Sequence, residues 1–118
     1  MRIPQILGLV GLLLAGVTGC DDDEEVETEG LLTFGFYGQG SISSFLPCGH
    51  QEAWWVVAPE ELTQRYAGLQ IGPGESAYAR LRGDRSDRGH YGNLDAYRYE
   101  FEVRDVVALR RADPRDCR

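Results

Sequence analysis

Two cysteines and two histidines downstream of residue 40 are the side chains best suited to covalent or metal chemistry. Cys48 and Cys117 lie 69 positions apart, and the chain contains no Cys-x-x-Cys pair. In an exported protein such a pair usually forms a disulfide. A metal site that uses Cys48, His50 and His90 is the alternative, since zinc needs three or four ligands within reach. The pattern favours the structural disulfide, and we expect neither a metal nor another cofactor.

A dense group of arginines and tyrosines is the second feature with chemical potential. Guanidinium groups bind carboxylates and phosphates through paired hydrogen bonds, so this group could recognise an anionic or sugar ligand. The alternative is an arginine-rich outer strand face that pairs with Glu100 and Glu102 across a sheet, and the sequence favours it. The candidate ligand-binding residues are Tyr78, Arg80, Arg82 and Tyr91.

The sequence does not assemble a catalytic set. Ser41, Ser43 and Ser44 supply hydroxyls, but no Gly-x-Ser-x-Gly elbow accompanies them. Gly38 and Gly40 lack the further glycine and lysine positions of a phosphate-binding loop. We therefore predict that the protein is not an enzyme, because no nucleophile, base and orienting group can be assigned.

The first 19 residues have the layout of a cleaved export signal. Arg2 supplies a positive charge, residues 6–17 form an apolar stretch, and small residues precede Cys20. This stretch is shorter than the roughly 20 apolar residues of a membrane-spanning helix. Residues 17–20, Val-Thr-Gly-Cys, resemble the lipobox of bacterial lipoproteins. The resemblance implies that Cys20 is acylated, begins the mature chain and anchors it to a membrane of the cell envelope, outside the cytoplasm.

An acidic segment follows the signal. Residues 20–30 are rich in aspartate and glutamate and contain no basic residue. Such a block buries too little apolar surface to offset its ordering entropy, so we expect a disordered tether. The formal net charge of −7 lies mostly in this segment. The remaining residues, 31–118, form one domain without the basic excess that binding to nucleic acid requires.

The domain shows a pattern of five strands and one short helix. Pro59 followed by Glu60 and Glu61 predicts a helix start between the third and fourth strands. This order is that of a mainly β, five-stranded OB-like barrel. A small sheet with one helix packed across it is the competing architecture. Alternating apolar residues place the strands near residues 32–37, 42–46, 53–58, 76–83 and 97–109.

The last strand has the clearest alternation. One face, predicted to be buried, carries Tyr97, Tyr99, Phe101 and Val103. The other face, predicted to be in solvent, carries the charged residues between them, including Glu100 and Glu102. A bulge or the end of burial is expected at Asp105. Beyond it, the alternation predicts that two more residues share the buried face, Val107 and Leu109.

A set of short patterns runs through the domain: Phe45-x-x-Cys48-Gly49, Trp54-x-Val56, Leu62, Tyr66, Pro73-Gly74-Glu75 and Leu81-x-Gly83. Together they resemble the C-terminal OB-fold domain of NlpE-type envelope lipoproteins. The similarity covers about residues 32–83 and the last strand, whereas the Cys-x-x-Cys domain of that family has no counterpart here. It implies an OB-fold and a role in metal handling or envelope-stress sensing.

Two classes of function remain open at this point. The first is a non-catalytic binding or interaction module held on a bacterial membrane, with an envelope protein or a small anionic or sugar molecule as its partner. The second is the metal-handling or stress-sensing lipoprotein that the NlpE-type resemblance implies. The first is favoured, since two histidines and a cysteine pair are a meagre ligand set.

Overall fold

A computed structural model describes residues 24–37, 40–72 and 74–118. The predicted signal, residues 1–19, and Cys20 lie outside the described residues. The described part contains five strands, one α-helix and a short 3₁₀ turn at Asn93–Asp95. The strands are β1 (Glu24–Tyr37), β2 (Gly40–Pro47), β3 (Trp54–Val57), β4 (Ala77–Arg85) and β5 (Glu100–Arg111), and the helix is α1 (Glu60–Gly68).

The five strands close into a barrel in the order β1-β2-β3-β5-β4. Neighbouring strands are antiparallel except for β3 and β5, which are parallel. The predicted OB-like barrel, with its helix between the third and fourth strands, is confirmed, and the competing open sheet is excluded. Closure gives each of these strands a partner on both sides over part of its length, which shortens the edges open to another chain.

The first strand corrects the prediction for residues 24–30. These residues pair with β4 as the first half of β1 and are not a disordered tether. Their acids alternate with Val26 and Thr28, and Val26 packs against the core. The composition predicted repulsion among the acids, but a two-residue period turns the carboxylates to the outer face, where arginines of β4 lie opposite them.

Gly30 allows β1 to serve two neighbours. The strand pairs with β4 up to Leu32 and with β2 from Gly30 onward, so both partners flank Gly30 itself. A methyl group at Gly30 would lie 2.8 Å from the Cα atom of Pro47. A side chain cannot fit at that distance, so a glycine at this position allows the backbones of β1 and β2 to lie close together.

The helix α1 closes the end of the barrel where β4 begins. Leu62 and Tyr66 are buried on its inner face. The Tyr66 hydroxyl donates to the carbonyl oxygen of Glu75 at 2.7 Å, and the Tyr66 ring meets Phe34 edge-on at 4.9 Å. Among the described residues, no helix combines the length and apolar content needed to cross a bilayer.

The last strand follows the predicted alternation only up to its bulge. Phe101 and Val103 are buried, and Tyr99 is half-buried against the core. The register with β4 then shifts twice, on either side of Asp105, so the bulge expected there is confirmed. The shift turns Val106 toward the core and leaves Val107 45% exposed. The prediction that Val107 faces the core is therefore wrong, because a bulge changes which face follows.

The barrel has two ends that matter for function. At the first, which we call the entry end, Glu24 begins β1 opposite Arg85, the last residue of β4. The loop between β4 and β5, residues 86–99, leaves from the same end. At the other, which we call the far end, Ala77 begins β4 opposite Arg111, the last residue of β5.

Candidate functional site

The predicted arginines lie on the outer face of the barrel, between β1 and β5. Arg80 Nε donates to Glu27 Oε2 at 2.9 Å, and Arg82 Nη2 donates to Glu27 Oε1 at 2.8 Å. Arg82 also reaches Asp105 at 3.4 Å. The arginine-rich face expected from the sequence therefore exists, but its main acidic partner is Glu27 of β1.

The pKa values of this group follow from the shared carboxylate. Glu27 accepts hydrogen bonds from Arg80 and from Arg82, and these bonds, that from Arg80 most, lower the pKa of Glu27. The same bonds raise the pKa of both arginines. The Glu27 contribution to stability is complete above its unfolded pKa and is lost as the pH falls through the lowered folded value. Solvent screens these exposed groups, so the contribution is modest. Both guanidinium groups are already occupied by protein partners.

Tyr78 continues the same face toward the far end. Its hydroxyl donates to Glu29 Oε1 at 2.7 Å, which raises the pKa of Tyr78. The guanidinium carbon of Arg110 lies 4.2 Å from the centre of the Tyr78 ring, a cation–π distance. Arg110 also makes a two-pronged hydrogen bond with Asp116, at 2.7 and 3.1 Å. These bonds lower the pKa of Asp116. The stack of Arg110 on Tyr78, together with the Arg110–Asp116 pair, holds the C-terminal tail, residues 112–118, against β4.

The two cysteines lie beside this stack, at disulfide distance. Their Cα atoms are 4.7 Å apart, within the range that a disulfide spans. The backbone N–H of Cys48 donates to the carbonyl oxygen of Glu29 at 2.9 Å, which places Cys48 next to β1. The pairing of Cys48 with Cys117 brings residues 112–118 back over the start of β4.

An open cleft of about 510 Å³ lies between the tail and the barrel at the far end. The pair Cys48 and Cys117 forms part of its wall. The charged and aromatic groups that line it are Glu29, Tyr78, Arg110, Arg115, Asp116 and Arg118. Three guanidinium groups and two carboxylates therefore line the cleft, and a third carboxylate, that of Asp113, pairs with Arg115.

The arginines of the cleft differ in how far they are neutralised. Arg110 is committed to Asp116 and Tyr78. Arg115 pairs with Asp113 at 3.1 Å but is 84% exposed, so a ligand can compete for it in water. Arg118 is exposed and makes no ion pair within the described ranges. Arg115 and Arg118 are therefore the groups best placed to receive an anion, with the Tyr78 ring beside them.

The structure separates Tyr91 from the other candidate ligand residues. Tyr91 lies in the β4–β5 loop, where its hydroxyl donates to the carbonyl oxygen of Asp87 at 2.9 Å. Its backbone exchanges two hydrogen bonds with Tyr97, at 2.8 and 3.1 Å. Tyr91 thus braces the loop at the entry end, whereas Tyr78, Arg80 and Arg82 share the outer face of β4.

Sequence reasoning missed the tail as part of the site. Arg110 lies at the end of β5, Arg115 and Arg118 follow it, and the sequence analysis assigned none of the three a binding role. Cys117 was the available signal, because a pair with Cys48 must bring the tail to the end of β2. That Cys48 lies beside Tyr78 depends on the register between β1 and β4, which a single sequence does not reveal.

The histidines do not converge on the cysteines. His50 packs edge-on against Trp54, with ring centres 5.8 Å apart, and His90 is exposed in the β4–β5 loop. In the part of the chain that the structure describes, no three His, Cys, Asp or Glu side chains form a metal-binding group.

Comparison with known proteins adds no relative. No protein-family model matches the chain, and no curated protein or solved structure is significantly similar to it. The geometry of the barrel and its cleft is therefore the basis for inferring function.

Proposed function

We propose that this chain is a lipid-anchored protein of the bacterial envelope whose barrel is a non-catalytic binding module. The position of the entry end supports this proposal. β1 begins at Glu24, and only Asp21, Asp22 and Asp23 separate it from Cys20. Four residue steps span at most about 14 Å when fully extended. An acylated Cys20 therefore holds the entry end close to the bilayer surface.

The cleft lies at the opposite end from that anchor. Tyr78 is seven positions before Arg85 along β4, which corresponds to about 23 Å of strand. A barrel held at Glu24 consequently presents the cleft to the aqueous compartment. This arrangement suits a module that captures a soluble ligand or the exposed part of a neighbouring envelope component.

The chemistry of the cleft favours an anionic ligand, including an acidic sugar. Arg115 and Arg118 supply charged donors, and the Tyr78 ring supplies a flat apolar surface. Asp116 and Tyr78 hold Arg110 in place, so part of the wall is organised before a ligand arrives. Pre-organised polar groups reduce the entropy that binding must overcome.

Replacing the anchor residue is expected to leave the precursor without lipid and to alter its membrane partition. A Cys20→Ala variant has no thiol to acylate, and each buried lipid methylene contributes about 0.8 kcal/mol to membrane binding. Mass spectrometry should find the variant without lipid, and fractionation should find its distribution between membrane and soluble fractions different from that of the parent. The double variant Cys48→Ser/Cys117→Ser keeps Cys20 and should remain membrane-bound. Equal partition of the parent and Cys20→Ala chains, with no lipid on either, contradicts the proposal.

The cleft is expected to bind D-glucuronate in preference to D-glucose. Chemical-shift titration should show the largest changes at Tyr78 and the tail. Arg118→Gln is expected to weaken binding by about two- to fivefold, the range for one exposed ion pair. Arg104→Gln, whose parent side chain pairs with Asp84 toward the entry end, is the matched control and should bind as the parent does. Equal shifts with both sugars, or none at the cleft, argue against an anionic-sugar site.

A further inference from the structure

We infer that Leu94, at the tip of the β4–β5 loop, contacts the bilayer next to the lipid anchor and sets the orientation of the barrel. The inference rests on the proposed anchoring at Cys20 and adds a second, non-covalent contact to it. Its partner is the lipid surface itself, at the level of the headgroups and the first acyl methylenes.

The β4–β5 loop is a folded extension of the barrel. The backbone N–H of Ser86 donates to Glu100 at 2.8 Å, and that of Gly89 donates to Arg98 at 2.9 Å. Gly92, at a φ of 72°, lies so close to the Trp55 ring that any side chain there would overlap it. These contacts fix where the loop projects, so its tip has a defined position relative to the barrel.

The tip presents a leucine outward in an unfavourable backbone conformation. Leu94 is 91% exposed, twice the exposure of Val107 or Val57, the other exposed large apolar residues among those described. Its φ is 60°, in the left-handed region that disfavours bulky side chains such as leucine. The turn that carries Leu94 lies against β2, yet the Leu94 side chain itself stays in solvent, where a bilayer would cover it.

The anchor and the tip share one end of the barrel. The loop leaves β4 directly after Arg85, and Arg85 pairs with Glu24 in the strand register and through an ion pair of 2.9 Å. The chain between Glu24 and Cys20 can span at most about 14 Å. The loop begins at this end and packs against Trp55 of β3, so we place its tip within reach of the surface to which Cys20 is attached.

The anchor makes one apolar contact sufficient. A single leucine binds bilayers too weakly to act alone, but a tethered group meets the surface at high effective concentration. The charges of the loop also permit approach, because Arg88 and Arg98 balance Asp87 and Asp95. Burial of the Leu94 side chain is therefore the main favourable contribution to the free energy of contact between the loop and the bilayer.

The test places a relaxation probe in the bilayer and supplies the anchor chemically. The mature chain, residues 20–118, is coupled through the Cys20 thiol to a maleimide phospholipid in nanodiscs of phosphatidylethanolamine and phosphatidylglycerol. A spin label sits in the acyl chain just below the headgroup. The methyl signals of Leu94 should be lost by broadening, while those of exposed Val107, on the side of the barrel, should remain.

Substitution at the tip separates contact from mere proximity. Leu94→Ser should restore sharp amide signals at Asn93 and Asp95, and Leu94→Met should keep them broadened. Sharp Leu94 methyl signals in the parent, or unchanged broadening in Leu94→Ser, overturn the inference. Because the coupling is chemical, these outcomes do not depend on acylation in the cell, which the Cys20→Ala variant tests separately.

Discussion

A Phe101→Ala variant is expected to lose about 3–5 kcal/mol of unfolding free energy, the usual effect of emptying a large buried aromatic site. Phe101 is fully buried, and its ring lies 5.4 Å from that of Trp54 and 5.8 Å from that of Phe45. Three strands meet at this contact, so the cavity would open where β2, β3 and β5 join. Urea unfolding followed by tryptophan fluorescence measures the loss.

The adjacent outward residue supplies the control. Glu102 is exposed on the same strand, and Glu102→Ala should stay within about 0.5 kcal/mol of the parent. A Glu102→Ala variant that is damaged as much as Phe101→Ala would mean that the register of β5 is reversed.

The pairing of Cys48 with Cys117 is the second large contribution that we expect. On the chain-entropy model, a bridge across 69 positions contributes about 4 kcal/mol. The double variant Cys48→Ser/Cys117→Ser should therefore unfold at lower urea concentration, and non-reducing peptide mapping of the parent should recover one linked peptide. Two free thiols in protein isolated from the envelope, together with equal stability of parent and variant, contradict this prediction.

The barrel was predictable from the sequence because the patterns that indicate it are local. A two-residue apolar period, the Pro59-Glu60-Glu61 helix start and the order of the elements are all visible in short windows. The predictions for residues 24–30 and for Val107 were wrong for a shared reason. Whether an acidic strand pairs, and which face follows a bulge, is decided by the neighbouring strand β4.

The candidate site was predictable only in part. The alternation of Tyr78, Arg80 and Arg82 placed them on one outer face, and the structure agrees. Their actual partner, Glu27, was missed because its segment was interpreted as a tether. Tyr91 is close to Arg82 in sequence, yet a folded loop carries it to the entry end. Cross-strand register, which one sequence does not encode locally, decides such placements.

The central claim is that Cys20 carries the lipid that holds the entry end at a membrane. Intact-mass and peptide analysis of the protein isolated from its envelope tests it most directly. We predict a mature chain that begins at Cys20 and bears acyl groups on that residue. A mature chain that begins elsewhere, or an N-terminal peptide with unmodified Cys20, would contradict the account.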